Sequence, residues 1–132
     1  MQKLLKTLLI NIFLLLTIIT KGQTNNIDYL LCKEWKFLAY EGGSEKIAVT
    51  KEQEMDRVIF YFDHTIKSLE GGNIQHGIWN YDAPQKKLTV VYHETNETMV
   101  FKLITINKRS FIVEMTDLDG MIFKIHMAPA SR

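Results

Sequence analysis

The stretch F-I-V-E-M-T-D-L-D-G-M-I-F-K-I-H-M, residues 111–127, decides how this chain is read. Phe111, Val113 and Met115 are apolar at every second position, and Met121, Phe123, Ile125 and Met127 repeat the pattern. Side chains of a strand alternate between faces, so the two runs share one face of a hairpin only if their register allows it. All seven positions are odd-numbered, so the loop between the strands must hold an odd number of residues. Leu118-Asp119-Gly120 supplies three, with glycine where a type I turn followed by a bulge needs positive φ.

The same alternation runs upstream. A first strand is expected over Glu34–Tyr40, with Trp35 and Phe37 on one face, broken by Glu41-Gly42-Gly43-Ser44. A long connection follows to about Asp56, with a short strand at Ile47–Thr50, and a segment of that length in a compact domain suggests a flap over one mouth of the fold. The next strands are Asp56–Phe62 (Val58, Phe60, Phe62 aligned), Thr65–Glu70, whose inward face is undecided, and His76–Asp82 (Trp79, Tyr81). Lys87–His93 (Leu88, Val90, Tyr92) and Glu97–Asn107 (Met99, Phe101, Leu103) precede the final hairpin.

Parity checks the turns. Ala83–Lys86 is an even loop that sets Tyr81 opposite Leu88 and Trp79 opposite Val90. A two-residue loop at Thr95-Asn96 would pair Tyr92 with Met99 and Val90 with Phe101, and a three-residue loop at Asn107–Arg109 would lead into the last hairpin. One apolar face therefore continues through four hairpins. Pairing the last strand with the first removes both edges, so the expected fold is all-β, an eight-stranded antiparallel up-and-down barrel. A two-sheet sandwich is the alternative.

The N-terminus has a different character. Lys3 and Lys6 precede an uncharged, mostly apolar run, Thr7–Thr20, and Thr20-Lys21-Gly22 places small residues before Gln23. This is the form of a secretory signal peptide over residues 1–22. The run of 14 residues, at ~1.5 Å each, falls short of a ~30 Å hydrocarbon core, so no stable membrane span is expected. Residues 23–132 then form one domain of 110 residues, exported to the periplasm, the cell surface or the medium. Cleavage removes three lysines and no acid, leaving 13 basic against 15 acidic residues, a net charge of −2. No nucleic acid is expected as partner, and no protein partner is indicated. A single cysteine, Cys32, cannot form an internal disulfide and reads as a small buried hydrophobe.

L-L-C-K-E-W-K-F at 30–37, F-D-H-T at 62–65, G-I-W at 77–79 and L-T-V-V at 88–91 resemble lipocalin-like domains of small secreted bacterial proteins. The resemblance covers nearly all of the chain after residue 22 and implies a calyx-shaped barrel that often binds an apolar molecule. It departs from true lipocalins at Lys33, where those carry glycine.

No catalytic constellation is apparent. By parity His76, His93 and His126 face away from the apolar side, and His64 lies in a turn, so neither metal site nor cofactor is indicated. Glu114, Asp82 and Glu94 fall outside or in turns, and Ser68 and Ser110 lack evident partners, so no enzyme is expected. Asn96-Glu97-Thr98 forms a glycosylation sequon on a hairpin tip and reads as a turn. The interior carries the binding hypothesis. Trp35, Phe37, Phe60, Trp79, Tyr81, Tyr92, Phe101 and Phe123 are the candidate ligand-binding residues, with Phe62, Phe111 and the methionines Met99, Met115, Met121 and Met127 on the same face. These side chains either fill the barrel or line a cavity for a small hydrophobic molecule. The rival reading is a packed barrel acting as an interaction module through Ile59, Tyr61, Val91, Ile104 and Ile112 on its outer face.

Overall fold

A computed structural model describes residues 26–130; the segment read as a signal peptide lies outside the described residues. A short helix, α1 (Asn26–Leu31), leads into nine strands: β1 (Glu34–Gly42), β2 (Glu45–Ala48), β3 (Arg57–Phe60), β4 (Thr65–Glu70), β5 (Asn73–Asp82), β6 (Lys87–Tyr92), β7 (Thr98–Ile106), β8 (Phe111–Thr116) and β9 (Ile122–Pro129). Consecutive strands pair antiparallel from β3 to β9, and β1 pairs with both β3 and β9. Eight strands thus close into a barrel without a free edge.

β1 is the strand on which closure depends. Its residues Glu34–Lys36 pair with β3, and its upper half would be left open on that side. β2 covers this edge by pairing Ala39–Gly42, through a two-residue turn in which Gly43 sits at φ 61°. The expected flap is therefore an extension of the wall, followed by a 3₁₀ turn at Gln53–Met55. Gly42 ends β1 opposite Glu45, so Gly43 and Ser44 alone make the turn. A bulge between Phe37 and Ala39 changes the phase of β1 and sets Tyr40 opposite Ile125, half-buried against the core.

The final hairpin follows the sequence pattern closely. Phe111 faces Met127 and Met115 faces Phe123, and the Asp117 N–H donates to the Met121 carbonyl across a three-residue loop. Gly120 has φ 80°. Trp79 opposite Val90 and Tyr81 opposite Leu88 also stand as expected.

Two turns differ. The β6–β7 loop is His93–Asn96, so Val90 faces Met99 and Leu88 faces Phe101, a shift of two residues that keeps every face. The Glu94 carboxylate accepts from the His76 backbone N–H at 2.9 Å and holds the longer loop against β5, while Asn96 adopts φ 54°. The β7–β8 turn holds two residues, because Asn107 Oδ1 accepts from the N–H groups of both Arg109 and Ser110 at 2.9 Å. That even loop would invert β8, but a bulge between Leu103 and Thr105 restores the phase, and Ile104 is the residue turned out.

Phe62 is a further correction. β3 ends at Phe60, and the chain turns through Asp63, whose Oδ1 accepts from Thr65 N–H at 3.0 Å. Phe62 therefore leaves the strand alternation, is 61% exposed, and packs edge-on against Tyr29 of α1 at 5.9 Å. Met121, expected inside, lies exposed at the hairpin turn.

Candidate functional site

One end of the barrel is closed by α1 and a layer of aromatic rings. Trp35 is fully buried, and its indole N–H donates to the Leu31 carbonyl at 2.9 Å. Its ring lies 5.1 Å from Phe111, which meets Phe60 at 5.8 Å, and Phe60 meets Trp79 edge-on at 5.8 Å. These tilted and T-shaped contacts suit the ring quadrupoles. Outside this floor the His64 ring stacks on Trp79 at 4.0 Å, and its Nε2 stands 3.3 Å from Asp28 of α1. The helix is thereby fixed to the β3–β4 turn.

Above the floor lies a cavity of about 310 Å³. Its walls include Phe37, Val58, Ile66, Val90, Tyr92, Met99, Phe101, Ile125 and Met127. It runs toward the other end of the barrel, where Glu70, Gln75 and Glu97 join the lining. Of the eight candidate residues, Phe37, Tyr92 and Phe101 line this space, and Trp35, Phe60 and Trp79 belong to the buried core that carries the floor. Tyr81 and Phe123 pack partly buried at the margin of that core.

The polar lining was not anticipated, although part of it was legible. Gln75, Gly77 and Trp79 share one phase of β5, and Glu97, Met99 and Phe101 share one phase leading into β7. Glu70 was hidden because β4 carries Ile66 on one face and Leu69 on the other, so its pattern points both ways. Inward are Ile66 and Ser68, both fully buried. Burial raises the Tyr92 hydroxyl above its ordinary pKa against the opposing effect of a Ser68 hydrogen bond, and Glu70 and Glu97 add to the rise. Burial also raises the Glu70 carboxyl, and Asp56 and Glu97 push it further. Burial, then Glu70 and Asp56, does the same to Tyr40. The mouth therefore gathers negative charge around the Glu70 carboxylate.

The remaining candidates lie on the outside. His76 bonds Glu94 at 3.0 Å and His126 bonds Glu41 at 3.1 Å. Among the described residues, no group of three or more His, Cys, Asp or Glu is placed to hold a metal ion. Cys32 is half-buried, and burial, then Asp28 and Asp63, pushes its thiol up to about 11. Ile59, Val91 and Ile112 do not join into one apolar patch, since Ile59 lies between Glu34 and Lys67, and Ile112 between Thr105 and His126. Exposed apolar side chains occur at both ends of the barrel, among them Tyr29 and Phe62 beside α1 and Leu118, Met121 and Ile122 at the β8–β9 turn. No helix among the described residues is long and apolar enough to cross a membrane.

The architecture defines a closed eight-stranded antiparallel β-barrel with an internal cavity, consistent with a lipocalin-like fold. The crystal structure of a DUF4847 family protein from Bacteroides vulgatus is similar, with a TM-score of 0.55 at 9% sequence identity, covering 81% of this chain and 99% of that one. No protein-family model and no curated protein matches the chain.

Proposed function

We propose that this protein is an exported, non-enzymatic barrel that binds a small hydrophobic molecule inside its calyx. The cavity carries the reading: about 310 Å³, closed at one end and walled mainly by apolar side chains. That volume corresponds to roughly ten waters and lies at the lower end of the ~300–1,000 Å³ range of ligand pockets. A guest of this size contacts Met99 and Met127, whose unbranched side chains adapt to its shape. The signal-like N-terminus supports export, and the similarity to the Bacteroides vulgatus protein supports the barrel alone.

Titration with N-phenylnaphthylamine, a neutral apolar dye, tests this reading. Saturable dye fluorescence with a matching change in tryptophan emission is expected. Val90→Phe, which places a ring in the cavity, should abolish the signal while the circular dichroism of the barrel is kept. A protein that gives no saturable signal is a filled barrel, and the reading fails.

A further inference from the structure

We propose that the calyx selects apolar molecules with a cationic head, an alkylammonium class of ligand whose charge rests among Glu70, Gln75 and Glu97 at the mouth. This inference rests on the calyx reading and assigns its ligand chemistry. The depth of the cavity offers only contacts to Ile66, Val90, Met99 and their neighbours, so it takes the apolar body. The polar part of the lining is one-sided: two carboxylates, a carboxamide and the Tyr92 hydroxyl, with no lysine, arginine or histidine among the lining residues.

The sign of the local field follows from the neighbours. The charges acting on Glu70 are both negative, Asp56 and Glu97, and together with burial they hold its carboxyl above the ordinary range. That repulsion exists in the empty mouth. An entering ammonium relieves it, whereas an entering carboxylate adds one more negative charge. Apolar walls line the inner side, while Glu70 and Glu97 are exposed on their outer side, so salt weakens this difference without reversing it. The Gln75 carboxamide can present its carbonyl oxygen to an ammonium N–H, and Tyr92 can offer its oxygen in the same way.

Octylammonium, octanol and octanoate share one apolar chain and differ in head charge, so calorimetric titration of the protein with each at neutral pH separates the terms. Octylammonium should bind best and octanoate worst, with a ratio on the order of tenfold or more between them. In the double variant Glu70→Gln, Glu97→Gln, the ratio of octylammonium to octanol affinity should fall toward one. The ranking on the unaltered protein stands even if that variant folds poorly. Equal affinities, or a preference for octanoate, overturn the cationic assignment and leave the calyx reading intact. If none of the three binds while N-phenylnaphthylamine does, the cationic assignment fails and the calyx reading stands; if the dye is not bound either, both fail.

Discussion

The indole N–H of Trp35 donates to the carbonyl of Leu31 at 2.9 Å, and this bond ties the closing helix to the first strand of the barrel wall. The Leu31 carbonyl also accepts from the Lys33 backbone N–H at 2.9 Å, so it keeps a partner if the indole is removed. Leu31 and Trp35 are both almost completely buried, and the ring of Trp35 packs on Phe111. Trp35→Phe should therefore destabilise by roughly 1–3 kcal/mol, mostly through lost ring volume, with the hydrogen bond contributing about 1 kcal/mol. Urea unfolding followed by circular dichroism measures it; a change below about 0.5 kcal/mol would show that the floor is loosely packed.

Gly77 pairs with Tyr92, and a Cβ built on it would stand 2.1 Å from the Val91 carbonyl oxygen and 2.9 Å from its carbon. Both are backbone atoms, so no side chain can swing aside. Gly77→Ala should open the β5–β6 ladder and cost several kcal/mol, about 3 or more, among the largest single-site effects in the chain. The expected readout is loss of cooperative thermal unfolding or a large fall in Tm.

Gly120 presents the opposite case. A Cβ there meets nothing within 4 Å, yet φ is 80°, so the cost of substitution is conformational alone. Gly120→Val should destabilise by roughly 1–3 kcal/mol, and Gly120→Asn by less, because asparagine tolerates that region. The turn around it is held by Asp117, whose Oδ1 accepts from Asp119 N–H at 2.9 Å and Met121 N–H at 2.8 Å. Matched urea melts of the two variants decide the point, and equal stabilities would contradict the strain.

Cys32 should be a slow nucleophile. Its thiol is raised from 9.0 to about 11, first by burial and then by Asp28 and Asp63, so at neutral pH roughly one molecule in ten thousand carries the thiolate. Alkylation by iodoacetamide should run at least about tenfold slower than on a free cysteine peptide, even after allowing for the greater intrinsic reactivity of a more basic thiolate. The rate should keep climbing through pH 9 and level only near pH 11. Because the folded value lies above the unfolded one, this group's contribution to stability is complete below the unfolded value and declines as pH rises between the two. A plateau near pH 9 would show an exposed, unperturbed thiol.

The final hairpin shows how much local pattern alone carries. Alternation at Phe111–Met115 and Met121–Met127, with glycine in a three-residue loop, yields the observed register of Phe111 on Met127. Its determinants lie within the chain segment itself: the period of a strand, and the one residue type that accepts positive φ without strain. The apolar face from β5 to β9, the closure of β9 on β1 and the Trp79–Val90 pair follow by the same reasoning.

Other features depend on contacts between distant segments. The β6–β7 register is set by Glu94 bonding to His76, eighteen residues away, and the phase of β8 by a bulge that compensates a short turn. Neither interaction has a local signature. Phe62 leaves the alternation because β3 ends at Phe60 and the chain turns at Asp63, and its ring then meets Tyr29 of α1 edge-on. β2 joins β1 because β3 leaves that edge open, so a long connection becomes wall.

The candidate site divides along the same line. That aromatic and methionine side chains face one interior was written in the alternation, since each strand buries one face. Which of them touch a cavity, and that Glu70 reaches its mouth, was decided only when the barrel closed. β4 alone carries one apolar residue on each face, Ile66 and Leu69, and burial chose between them after β3 and β5 had paired on either side. Residual space is a property of how all walls meet at once, and no single strand's sequence contains it.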